Sequence, residues 1–155
     1  MKELFEIIPK LPAVRVFEFA KDYETSKQLS EFCKAKGHYL EIVAFEDEIY
    51  EQIKDLGSKS RRIAQEKERY NQRSMMFDTI FVSYPLQKVL DLEALLRKIY
   101  RMTKNAGDIV LYTTPQEQEA LERLLEELNY VAINPIELQD VVALTAKKLH
   151  GWAKV

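Results

Sequence analysis

The sequence predicts an α/β fold built on a mostly parallel sheet. Short strand-like apolar runs alternate with longer stretches of helical spacing, the order that parallel strands joined by crossover helices produce. The last two apolar runs break this alternation: only the polar Gln139-Asp140 separates them, which predicts an antiparallel pair at the end of the sheet. With 155 residues, of which 46% are hydrophobic and 10% aromatic, the chain is long enough for one ordinary core and too apolar for disorder.

The elements follow in order. VRVFEFA, from Val14 to Ala20, is the first strand. Thr25 and Ser26 can cap a helix in which Leu29, Phe32 and Cys33 recur at helical spacing, with Gly37 as its stop. Tyr39 to Phe45 is the second strand. From Asp47 to about Met75 no convincing strand is visible; Ile49, Tyr50, Ile53, Leu56 and Ile63 suggest helix broken near Gly57. A buried strand is predicted over Thr79 to Ser83, and Leu92, Leu95, Leu96 and Ile99 form the stripe of a helix ending before Gly107. DIVLYTT is another strand. Pro115 suits the first turn of a helix that buries Leu121, Leu124, Leu125 and Leu128 and stops near Asn129. VAINPIEL and DVVALTAKKL close the chain as the antiparallel pair.

Composition narrows function by exclusion. Lysine and arginine number 23 against 25 acidic residues, a formal net charge of −2, so the whole molecule does not steer polyanions. Cys33 has no second cysteine to pair with, and with only His38 and His150 beside it the composition argues against a zinc enzyme. Neither histidine has an acid or base partner close in sequence, so both read as surface residues, and Cys33 reads as core. Glu3, Glu6, Pro9 and Pro12 interrupt the apolar N-terminus, and no run approaches the roughly 18 residues that span a bilayer, so a soluble, cytoplasmic protein is expected.

Laid end to end, these segments resemble the class I S-adenosylmethionine-dependent methyltransferases, from roughly Val14 to Trp152. FDTIFVSYPL, LEALLRKIYRMTKNAGDIVLYT, LLEELNYVAINPIEL and DVVALTAKK carry the resemblance, with Lys104-Asn105-Ala106-Gly107-Asp108 at the family's Lys-x-Gly-Gly-like turn. The resemblance implies a three-layer Rossmann-like fold with an antiparallel last strand, one such domain over residues 1–155 with a short or missing third strand, and S-adenosylmethionine as cofactor.

It also implies a site. In the family, the first strand ends in an acidic residue and a glycine-rich turn, against whose backbone the cofactor's methionine part lies. Glu18 stands at the acidic position, but Ala20, Asp22 and Glu24 occupy the glycine positions. If Asp22 or Glu24 faced the methionine carboxylate at about 4 Å, the repulsion would be about 4 kcal/mol, roughly three powers of ten in affinity. Turning those carboxylates outward would instead leave the helix start near Thr25 free for the ligand. Glu46, followed by Asp47, stands where the family binds the ribose hydroxyls; either could equally cap the next helix. Ser83 and Tyr84, before Pro85, stand where amino-group methyltransferases hold the acceptor nitrogen, or simply end a strand in a turn.

The damaged turn leaves two readings open. One is a divergent methyltransferase-like protein with weak, altered or lost cofactor binding and an unidentified methyl acceptor. The other is a non-catalytic scaffold of the same fold, a homodimer or a partner subunit. A third feature is local charge: Lys54, Lys59, Arg61, Arg62, Lys67, Arg69 and Arg73 face Asp55, Glu66 and Glu68, a surplus of +4. Lys59, Arg61, Arg62, Arg69 and Arg73 could contact RNA phosphates, or the segment could cover the cleft. Because Glu66 and Glu68 interrupt the run and few aromatics accompany it, the spacing favours a solvated helix with ion pairs.

Overall fold

The computed structural model describes residues 2–71 and 73–149; His150 and the end of the sequence lie outside them. Seven strands, β1 (Arg15–Phe19), β2 (Tyr39–Ala44), β3 (Lys59–Arg62), β4 (Phe77–Val82), β5 (Thr103–Thr113), β6 (Tyr130–Glu137) and β7 (Val142–Lys148), form one sheet. Their spatial order is β3-β2-β1-β4-β5-β7-β6. Strands β1 to β5 pair in parallel, and β7 runs antiparallel between β5 and β6. The expected closing pair is therefore present, with the later strand on the inside. Pro135 is accommodated because β6 is an edge strand.

Parallel strands covered on both faces read as continuous apolar runs, and β1, β2 and β4 are buried along nearly their whole length. Helices α1 (Tyr23–Lys36) and α2 (Asp47–Ile53) pack together over one face, and the N-terminal turn of 3-10 helix joins them through Phe5, whose ring lies 5.1 Å from Phe32 and 6.0 Å from Phe81. Helix α3 (Leu92–Met102) has its stripe, Leu95, Leu96, Ile99 and Met102, buried as expected. Helix α4 (Gln118–Glu127) buries Leu121 and Leu125. An aromatic cluster of Phe17, Phe19, Phe45, Phe77, Tyr70 and Tyr84 links the sheet to the segment between β3 and β4.

Several expectations are corrected. The N-cap of α1 is Asp22, whose Oδ1 accepts the Thr25 amide at 2.9 Å, rather than Thr25 or Ser26. Helix α4 starts at Gln118, since Pro115 to Glu117 form a turn before it. The chain after Gly57 is not helix: Gly57 adopts φ 73° and delivers β3, whose four polar residues carry no apolar signal because an edge strand pairs through its backbone. The third strand is short, as the family resemblance implied. Residues 63–71 and 73–76 hold no helix. His38 is buried, not on the surface, because the N-terminal segment and Phe32 close over it. No helix among the described residues is long and apolar enough to cross a membrane.

Candidate functional site

Chain order defines where a ligand can sit. From β1 the chain moves outward through β2 and β3, then returns to β4 on the other side of β1, so the strand order reverses between β1 and β4. Beyond the C-terminal ends of these strands lies a cleft of about 200 Å³, lined by Lys21, Thr25, Ser83, Tyr84, Tyr112 and neighbouring residues. That is below the range of about 300–1,000 Å³ common for small-molecule sites.

Glu18 lies under this cleft, 1% exposed, on the face of β1 toward α1. Its two carboxylate oxygens accept hydrogen bonds of 2.6 Å each from the hydroxyls of Ser26 and Ser83. Burial pushes its carboxyl above the ordinary range, and the two hydroxyl donors pull it part of the way back. Ser26 was legible as more than a cap: it shares the buried stripe of α1 with Leu29 and Cys33, where a polar side chain needs a partner.

Asp22, its side chain 44% exposed, caps the start of α1. The amides there are claimed: Thr25 by Asp22, Tyr23 by the Gln52 side chain at 3.0 Å, and Ser26 by the Asp22 carbonyl. Ala20 donates to Val43, and the Phe19 carbonyl accepts from both Ser83 and Tyr84. The Tyr23, Thr25 and Ser26 amides at the helix start, which outward-turned carboxylates would have left free, are therefore engaged by the protein itself.

Glu46 ends the β2 segment and precedes α2 without a side-chain cap bond. Its Oε2 accepts a 2.6 Å bond from the Tyr84 hydroxyl, with Lys88 Nζ 3.9 Å away. Tyr84 is 3% exposed, and its ring meets Phe45 edge-on at 5.2 Å. Burial first and Glu46 second push its hydroxyl up to about 12. Asp47 takes no part, since it is exposed and pairs with Arg62 at 2.8 Å. Glu18, Ser83, Tyr84 and Glu46 are thus brought together, Ala20 and Asp22 flank them, and Asp47 lies outside.

The sheet order with one antiparallel strand between β5 and the edge defines the class I S-adenosylmethionine-dependent methyltransferase fold, and comparison with solved structures agrees. The chain superposes on CurJ carbon methyltransferase with a TM-score of 0.76 at 13% identity, covering 95% of this chain and 51% of that one. It matches an S-adenosylmethionine-dependent methyltransferase from Mesorhizobium loti at 0.72 and 13% identity, over 94% and 96% of the two chains. It also matches a structure of the Haloferax volcanii Trm112 methyltransferase activator with a methyltransferase at 0.77 and 8% identity, over 96% and 88%. The chain thus spans about half of the first of these and nearly all of the second. No protein-family model and no curated protein sequence matches it.

In the arrangement observed, the protein's own side chains engage several of the groups that the cofactor implied by this fold would use. Asp22 and Gln52 hold the Thr25 and Tyr23 amides at the start of α1, and Tyr84 holds one of the two carboxylate oxygens of Glu46. Binding through those two amides or through Oε2 of Glu46 requires the side chains that hold them to move.

Proposed function

We propose that this chain is a divergent S-adenosylmethionine-dependent methyltransferase-like protein that binds its cofactor weakly, because its own side chains occupy the positions the ligand needs. The observation that carries this reading is the Tyr84–Glu46 hydrogen bond, which engages one oxygen of the acidic group at the ribose position. Releasing a bond to a carboxylate costs about 1.5–3 kcal/mol. Releasing a helix cap costs about 0.5–2 kcal/mol. Together they weaken binding by roughly 30-fold to a few thousandfold relative to an open cleft. Glu18 and the turn from Ala20 to Glu24 would then meet the methionine part, Glu46 the ribose, and Ser83 with Tyr84 the acceptor side.

Calorimetric titration of S-adenosylmethionine and S-adenosylhomocysteine tests this. The expected result is a dissociation constant between about 0.1 and several mM, tightened about tenfold by Tyr84→Phe and abolished by Glu46→Ala. Silence at millimolar ligand in both the wild-type chain and Tyr84→Phe would sink the reading.

A second reading, a scaffold of the same fold acting through a partner, is favoured by the Ser26–Glu18–Ser83 arrangement, which satisfies the buried carboxylate without any ligand. The Haloferax match comes from a structure with a methyltransferase activator, and a protein partner for this chain is the corresponding proposal. Mass measurement of the complex captured from its native cell extract, with no cofactor binding, would favour this alternative.

A further inference from the structure

The segment between β3 and β4 leaves a second, larger feature that the cofactor cleft does not use. Because residues 63–71 and 73–76 form no helix, one face of β1, β2 and β3 is left open near the N-terminal ends of these strands. The cavity there measures about 680 Å³. Arg15 opens β1, Tyr39 opens β2 and Lys59 opens β3, with Arg15 aligned to Tyr39 and Lys59 to Glu41, so this opening lies at the opposite end of the strands from the cleft.

Its lining is strongly basic: Arg15, Lys59, Arg61, Lys67, Arg69 and Arg73 against the single carboxylate of Glu41. That carboxylate is already neutralised, since Arg61 approaches it at 2.6 Å and the Tyr39 hydroxyl donates to it at 3.2 Å. Among the described residues the side chains of Arg15, Lys59, Lys67, Arg69 and Arg73 form no ion pair, whereas Arg62 and Lys54 on the outer side are paired; the Asp78 carboxylate accepts the backbone amide of Arg15 at 2.9 Å and pairs with Lys104. A second observation sits at the base of the cavity: Arg15 Nε is buried and has no hydrogen-bond partner. Buried donors are almost always satisfied, and this unpaired donor belongs to a side chain that lines the basic cavity, where a bound anion would give the guanidinium a charged partner.

The aromatic groups show what kind of acceptor it is. Arg15 stacks on Tyr39 with its guanidinium carbon 4.2 Å from the ring centre, and Tyr70 is 2% exposed with Lys98 Nζ 4.9 Å from its ring centre. Arg15 covers one face of Tyr39 and Tyr70 is buried, so recognition falls mainly to charge and to guanidinium forks, four of the six lining cations being arginines. Lys59, Lys67, Arg69 and Arg73 are exposed at the opening, too many separate cations for one phosphate to engage. Arg73 lines this cavity and the adjoining Ser74 and Met75 line another, about 350 Å³, with Arg101, with Arg97, which pairs with Glu93, and with Lys148, which is buried and donates to the Thr103 carbonyl.

We propose that this face binds the phosphodiester backbone of a single-stranded nucleic acid, without base preference. This inference is independent of cofactor binding.

The test is fluorescence anisotropy with labelled oligo-uridine and oligo-thymidine of about 12 nucleotides, in salt from about 50 to 200 mM. Single strands lose about 0.7 in log–log slope per phosphate neutralised, so four contacts give a slope near −3. The double reversal Arg69→Glu/Arg73→Glu, both exposed, should weaken binding at least tenfold and bring the slope to about −1.5, with the melting temperature unchanged. Lys34→Glu/Lys36→Glu, at the end of α1, should bind as the wild-type chain does. Binding of either strand supports the proposal. No binding at 50 mM salt, an unaffected Arg69→Glu/Arg73→Glu variant, or displacement of the strand by ATP or poly-glutamate at equal charge concentration would overturn it.

Discussion

The Tyr84 hydroxyl donates a 2.6 Å hydrogen bond to Oε2 of Glu46, joining the turn after β4 to the end of the β2 segment. The two strands are not neighbours: β1 lies between them, so this bond passes over the end of β1 where the strand order reverses. The Tyr84 ring is buried against Phe45 while Glu46 remains partly exposed, so the bond contributes less than a fully buried charged pair would. A double-mutant cycle with Tyr84→Phe and Glu46→Gln should return a coupling of about 1 kcal/mol by thermal or urea unfolding. Additive effects of the two substitutions would mean that Tyr84 is held by Phe45 alone and does not restrain Glu46.

Glu18 makes stability depend on pH with a definite sign. Burial holds its carboxyl above the unfolded value, which is about 4.3. The native state therefore binds this proton more tightly, so the stabilising contribution is full below about pH 4.3 and is lost as pH rises through the native value. Glu18→Gln keeps the shape and removes the charge, and Ser26 and Ser83 retain groups to bond. Its melting temperature should exceed that of the wild-type chain at pH 7–8, with the gap closing toward pH 4; each kcal/mol relieved reads as about 2–4 °C for a chain of this size. A gap that widens as pH falls would show that the two serine hydroxyls hold the carboxylate below, not above, its ordinary range.

Much of this fold was legible because burial writes itself into the sequence as periodicity. The apolar runs of β1, β2 and β4, and the stripe Leu95, Leu96, Ile99 and Met102, can be read from spacing alone. Strand β3 could not, since Lys59-Ser60-Arg61-Arg62 is held by its pairing with β2 rather than by any buried apolar face. The candidate site was half legible. Glu18 and Glu46 stand at positions that strand ends point to, but hydrogen bonds spanning 65 residues, from Ser83 to Glu18, and 38 residues, from Tyr84 to Glu46, leave no local pattern. The basic run was visible as charge, but whether it forms a solvated helix or lines a cavity depends on α2 ending at Ile53 and on the turn at Gly57, φ 73°, that leads into β3, neither of which the charge pattern records.

Cys33 offers a direct probe of the core beneath Glu18. It is 1% exposed, and burial, with the charge of Glu18 second, pushes its thiol from 9.0 up to about 12. Near pH 8 that leaves about three powers of ten less thiolate than an ordinary exposed thiol. A disulfide reagent should modify the native protein only at the rate at which it opens, and should react within seconds once denaturant unfolds it. Fast stoichiometric modification of the native chain would show that the packing of α1 on the sheet is loose.

Ala106 and Gly107 should respond to substitution with opposite signs, because their backbones are constrained by different forces. They lie in the wide bulge where five residues of β5, from Thr103 to Asp108, advance against two of β4, from Phe77 to Thr79. Ala106 adopts φ 64°, a left-handed conformation that costs a side-chain-bearing residue about 1–2 kcal/mol. Gly107 does not have positive φ; it is small because a Cβ there would come 2.7 Å from Thr103 Cγ2, 2.9 Å from the Lys104 carbonyl oxygen and 3.0 Å from that of Asp78. Two of those three neighbours are backbone and cannot rotate away. Gly107→Ala should therefore destabilise by about 1–3 kcal/mol, as overpacking does. Ala106→Gly relieves the strain but makes the unfolded chain more flexible, leaving a net gain of up to about 1 kcal/mol. Urea unfolding of both variants separates the two causes: a loss at both positions would mean that Ala106 packs a methyl group worth more than its strain, and a gain at both would mean that the bulge opens to admit the extra carbon.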